Sequence, residues 1–157
     1  MKQYLSERQY SGIYSTLQII VGMTRNEIRY MALPNDADHF NTDFAFEWQD
    51  EKTNRPIHDW QVFASKVLSI PMAHQLATNY MILDGTPYHQ MIKVMRPYQV
   101  YATRRVMDKI KAHDFEVDDQ RLGYIWHTTG SGKTISSFKA AWLASRQPNV
   151  DKVVFFS

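Results

Sequence analysis

The residues best suited to chemistry in this chain are Thr128-Thr129-Gly130-Ser131-Gly132-Lys133-Thr134. Glycines at 130 and 132 let the backbone curl so that successive N–H groups converge on one point. A helix starting at Gly132 would add the positive end of its dipole there. An ammonium at Lys133 and a hydroxyl at Thr134 complete a set suited to a polyphosphate and its cation. In this reading Thr129, Gly130, Ser131 and Gly132 supply backbone amides, Lys133 reaches the β- and γ-phosphates, and Thr134 completes the Mg²⁺ shell. The full G-x-x-x-x-G-K-[ST] pattern wants glycine at position 127, where this chain has His127. Helicase-type motors relax that first glycine, which favours them over kinases and small GTPases.

A second candidate lies about thirty residues upstream, at Arg96-Pro97-Tyr98-Gln99. Pro97 suits the first turn of a helix, and the Gln99 carboxamide can read adenine by accepting from N6 and donating to N7. Lys133, Thr134 and Gln99 together therefore point to ATP with Mg²⁺. Other acidic and basic groups fit no site as well. Pro34-Asn35-Asp36 and Asp50-Glu51-Lys52 mimic the acids and lysine of a Mg²⁺ nuclease, but they read as solvated acidic loops. The six histidines show no metal-ligand spacing. Tyr98 and Tyr101 could stack on bases, but they read as core on a helix face.

Elements must position the loop. Leu122–Trp126 reads as a short apolar strand and Gly132–Arg146 as a helix burying Ile135, Phe138, Ala141 and Trp142. Val153–Phe156 reads as another strand. Strand, glycine loop, helix, strand is the opening βαβ unit of a parallel-sheet nucleotide-binding domain. Before it, Pro97 opens a helix with Tyr98, Tyr101, Ala102, Val106 and Ile110 on one face, and His113–Arg121 reads as a loop. Further upstream the pattern differs. Thr16–Thr24 and Glu27–Ala32 read as two strands around a turn at Arg25-Asn26. Phe44–Trp48 could be a third. Asp59 is a plausible N-cap for a helix with Trp60, Phe63, Ala64, Val67 and Leu68 at helical spacing. Pro71 stops it and opens another through Tyr80, Asp84–Pro87 reads as a turn, and Met91–Met95 as a strand. A boundary near residues 80–90 is expected.

Bulk properties set the class. The 157 residues are 44% hydrophobic and 22% charged, which is globular composition. No cysteine is present, so disulfides, thiolate zinc sites and cysteine nucleophiles are excluded. No apolar run approaches the roughly 18 residues of a membrane span, so no membrane association is expected. The net charge of +2 is unevenly spread. Residues 35–59 hold seven acidic and two basic groups, whereas residues 60–157 hold seven acidic and twelve basic. A modestly basic C-terminal part permits nucleic-acid contact without requiring it.

Met95–Ala102 together with Gly123–Thr134, and above all Trp126-His127-Thr128-Thr129-Gly130-Ser131-Gly132-Lys133-Thr134, closely resemble the restriction (R) subunit of type I restriction–modification enzymes. Thr16–Ala32 resembles the strand pair closing that family's nuclease domain. Phe44–Trp48 and helices through Met81-Ile82-Leu83-Asp84 resemble its linker, so the resemblance covers essentially the whole chain. It implies a large cytoplasmic enzyme with a nuclease domain and two RecA-like motor domains of helicase superfamily 2. Such an enzyme hydrolyses ATP to pump double-stranded DNA and works with methyltransferase (M) and specificity (S) subunits.

The implied fold is α/β: the end of a restriction-endonuclease-like α/β domain over residues 1–57, a helical linker over 58–89, and over 90–157 the opening βαβ part of a RecA-like phosphate-loop motor. The resemblance also implies nuclease carboxylates before Met1, with Tyr4 as the tyrosine of a Q-x-x-x-Y motif. It places the motor's acidic motif and arginine finger after Ser157. No catalytic set is then complete in the chain, and by itself it is expected to be a nucleotide cradle without turnover. Another superfamily 2 helicase or DNA-dependent ATPase, and a truncated inert remnant, stay open as alternatives.

Overall fold

A computed structural model describes residues 2–114, 116 and 123–156. The chain divides into two compact units, Met1–Pro97 and Tyr98–Ser157. It is mixed α/β with small sheets.

In the first unit, helix α1 (Lys2–Ser6) and a 3₁₀ turn over Gly12–Thr16 lead into β1 (Ile19–Met23) and β2 (Ile28–Ala32). These pair antiparallel, with Ile19 opposite Ala32 and Met23 opposite Ile28. The expected turn closes them: Thr24 N–H donates to Glu27 O at 2.8 Å. Ile20, Ile28, Tyr30 and Met31 are buried while Met23 and Arg29 stay exposed, which suits a half-buried pair.

The third expected strand does not form. Asn41 accepts from Asp43 N–H at 2.8 Å and caps a 3₁₀ turn over Thr42–Phe44. Local side-chain capping thus competes with the ladder. Only an isolated bridge survives, in which Phe46 and Tyr30 exchange backbone hydrogen bonds of 2.8 and 2.9 Å. Tyr30 is the hub of this unit. It is 1% exposed, its ring lies 5.5 Å from Trp48 and 6.1 Å from Phe46, and its hydroxyl donates to Met95 O at 3.0 Å.

Helix α2 (Trp60–Phe63) starts as expected, with the Asp59 carboxylate accepting from Val62 N–H at 2.9 Å. It continues as a π-helical turn over Ala64–Leu68, so Phe63 and Val67 both stay buried. Helix α3 (Met72–Asn79) follows the cis Ile70–Pro71 bond.

The next segment corrects the sequence reading. Asp84–Thr86 is not a turn and Met81–Asp84 is not helical. Both belong to β3 (Met81–Thr86), which pairs antiparallel with β4 (His89–Val94), and the turn falls at Pro87-Tyr88. Met81-Ile82-Leu83 suits a strand, and the Asp84 and Lys93 side chains form a salt bridge across it.

The second unit carries α4 (Pro97–Lys111) and α5 (Lys133–Ala144). Pro97 opens α4 as expected. Its buried face runs through Val100, Thr103 and Met107, at i, i+3, i+7, with Gln99 and Ala102 also buried. Tyr98, Tyr101, Val106 and Ile110 are only half-buried. The α5 stripe is likewise rotated. Ser136, Lys139 and Ala144 are buried, while Phe138 is 57% exposed and Ile135, Ala141 and Trp142 are half-buried.

Neither 123–126 nor 153–156 is a strand. A strand needs a neighbour for its backbone donors and acceptors, and among the described residues neither segment has one. Trp126 and Phe156 are left 87% and 89% exposed. Leu122 and most of the loop expected at His113–Arg121 lie outside the described residues.

Candidate nucleotide-binding site

The site is the loop between residue 127 and the start of α5. Gly130 has φ +76° and Gly132 φ +77°, the left-handed region that favours glycine. At Thr128–Ser131 the chain turns back on itself. Thr128 O accepts from Ser131 N–H at 3.3 Å and from Ser131 Oγ at 2.7 Å. Gly132 is the left-handed residue at the N-cap of α5, and its carbonyl accepts from Ser136 N–H at 3.1 Å.

The first turn of α5 holds no acidic residue, so nothing within it opposes the positive end of the dipole. Lys133 and Thr134 are exposed at this point. The five residues from Gly130 to Thr134 are thus gathered at one helix N-terminus with their charge and hydroxyl outward. That is the arrangement which receives a phosphate.

Gln99 also meets this loop, by a route the sequence did not reveal. It is 5% exposed, and its Nε2 donates to Ser131 O at 3.0 Å. The Tyr98 hydroxyl donates to the same carbonyl at 2.8 Å. A Cβ at position 132 would stand 2.5 Å from Gln99 Nε2, so the start of α4 is packed tightly under the loop. Tyr98 is the residue that sequence reasoning missed, having treated it as core. Its adjacency to Gln99 was the available signal.

Lys139 was missed as well. It lies two turns along α5, 5% exposed, with Nζ 4.1 Å from the Trp142 ring centroid; the Arg146 Cζ lies 3.6 Å from the same centroid. Burial pushes the Lys139 ammonium below the ordinary lysine range, and the nearby Arg146 charge adds to this.

The acidic loops that mimic a nuclease have plain structural work. Asp36 Oδ1 accepts from the backbone N–H of Asp38 and His39 at 3.0 and 2.9 Å. Asp50 Oδ1 accepts from Lys52 and Thr53 N–H, both at 3.1 Å, and its other oxygen pairs with Lys66 at 2.9 Å. The Lys66 hydrogen bond, followed by those backbone bonds, holds the Asp50 carboxyl well below the usual carboxylate range. Among the described residues no group of three or more His, Asp or Glu is placed to hold a metal ion. No helix there is long and apolar enough to cross a membrane.

Known proteins match the same residues. The family model described as "Type III restriction enzyme, res subunit" matches residues 92–157, which include Gln99 and the whole loop. A type I restriction enzyme endonuclease subunit of Staphylococcus aureus (strain COL) is 33% identical over 155 residues, covering 99% of this chain and 15% of its own length. Its counterpart in Staphylococcus saprophyticus is 32% identical over 149 residues, 95% of this chain and 15% of the relative. In Mycoplasma pneumoniae, a protein described as the C-terminal part of the type I restriction enzyme MpnIIP endonuclease subunit is 52% identical over 66 residues, 40% of this chain and 32% of that protein. From end to end, the chain is a homologue of a segment of type I restriction enzyme endonuclease subunits, and it spans about 15% of the length of the staphylococcal relatives it matches.

Proposed function

We propose that the chain is the nucleotide-binding segment of an ATP-dependent, DNA-translocating restriction subunit. The observation that carries this is the loop at the start of α5, with left-handed Gly130 and Gly132 and exposed Lys133 and Thr134, in a chain that matches a type I restriction enzyme endonuclease subunit over 99% of its own length. In this reading Thr129–Gly132 offer backbone amides to the phosphates of ATP and Lys133 neutralises their charge. Thr134 joins the Mg²⁺ shell, and Gln99 reads adenine from the start of α4. Residues 1–57 form the end of a nuclease-like domain, 58–89 a linker, and 90–157 the opening of a RecA-like motor. The assembled enzyme works in the cytoplasm on double-stranded DNA with M and S subunits.

In this reading the chain itself holds a nucleotide without turning it over: the loop and the first turn of α5 carry no acidic residue, so the carboxylate that activates the water has to come from another element. Two measurements test this. MgATP should bind the chain more tightly than MgGTP, and Lys133→Ala should weaken it about 10-fold or more, the scale of a lost charge-assisted contact. ATP hydrolysis should stay at background with and without duplex DNA. DNA-stimulated turnover abolished by Lys133→Ala would show a complete motor site and overturn this reading.

A further inference from the structure

We infer that Tyr98 is a positioning residue that pins both ends of the phosphate loop with one side chain. Its ring meets His127 edge-on, with centroids 5.6 Å apart and planes at 88°. Its hydroxyl donates to Ser131 O at 2.8 Å. His127 enters the loop and Ser131 precedes its last glycine, so the two contacts bracket the segment that turns back at Thr128–Ser131. The inference rests on the reading of residues 129–134 as phosphate-binding.

The second contact has a directional consequence. The Ser131–Gly132 peptide is planar and trans, so its carbonyl and its N–H point in opposite directions. Tyr98 Oη and Gln99 Nε2 both draw the Ser131 carbonyl toward the start of α4, at 2.8 and 3.0 Å. The Gly132 N–H is thereby aimed the other way, away from α4. Tyr98 thus sets the direction of a cradle donor before any ligand arrives. A glycine-containing loop left free would lose that order and add the entropy of fixing it to the cost of binding.

The first contact gives His127 a role. Position 127 is the one place where this loop departs from the glycine pattern, and the imidazole there supplies the surface on which the Tyr98 ring rests. The departure and the upstream motif are two halves of one brace.

The test reads the loop without nucleotide first. In the full chain, backbone amide order parameters at Gly130 and Gly132 should be those of rigid backbone, about 0.85, and should fall toward 0.6 in Tyr98→Phe. That variant keeps the ring and loses only the hydroxyl. His127→Ala should lower them too, and His127→Phe should restore them. Thermal melting of each variant identifies any global loss of fold, and the His127 pair carries the test if Tyr98→Phe unfolds. With MgATP, Tyr98→Phe should weaken binding about five-fold, the scale of one hydrogen bond. Unchanged order parameters in both Tyr98→Phe and His127→Ala overturn the brace. Lowered order with unchanged MgATP affinity overturns its positioning role. If the wild-type chain is ordered by Tyr98 yet binds no MgATP, the brace stands and the nucleotide-binding function fails.

Discussion

At Gly132 two independent constraints meet. Its φ of +77° is one that an L side chain reaches only at a cost of roughly 1–2 kcal/mol. Its missing Cβ leaves room for Gln99, whose Nε2 a methyl would approach to 2.5 Å. Gly132→Ala should therefore destabilise the chain by roughly 1–2 kcal/mol from backbone strain, read as a lower midpoint in urea. It should also displace Gln99 from Ser131 O. Gly130 shares the left-handed φ, but a methyl there would meet nothing within 4 Å, so alanine should cost the strain alone. Residue types and spacing made the turn and the helix start legible in the sequence, because glycines at 130 and 132 suit the left-handed backbone found there. The partner of the Tyr98 hydroxyl was not legible. It is a backbone carbonyl 33 residues away, and no side-chain pattern announces such a bond.

Among the elements, the helices were read better than their faces. Pro97 and Gly132 marked the starts of α4 and α5, but the stripes lay about one residue from where large apolar side chains suggested. On α4 the buried face runs through Val100, Thr103 and Met107. Thr103 is 1% exposed, and its hydroxyl finds no hydrogen-bond partner among the described residues. Replacing that group by a methyl of similar shape removes an unmet desolvation cost. Thr103→Val should therefore stabilise the chain by about 1 kcal/mol, seen as a rise in melting temperature. The strands show the opposite limit. Reading apolar and alternating runs found β1 and β2, whose partners adjoin in sequence. It missed β3, whose Asp84-Gly85-Thr86 looks like a turn until paired with β4. It overstated 123–126 and 153–156, which are apolar enough for strands but have no neighbouring strand among the described residues.

On the scale of the molecule, two units fold from one chain, and the candidate chemistry lies wholly in the second. There the loop, Gln99 and Tyr98 come together although 33 residues separate Tyr98 from Ser131. The first unit is organised around Tyr30, and its acidic loops are spent on hydrogen bonds to their own backbone. If residues 129–134 receive the phosphates of MgATP, their backbone amides must sense it. Those resonances can be followed in the full chain as MgATP is added. Saturable shifts centred on Thr129–Thr134 are expected, with smaller ones at Gln99, and Lys133→Ala should abolish them. Shifts that spare Gly130–Thr134, or that persist unchanged in Lys133→Ala, would contradict phosphate binding at this loop.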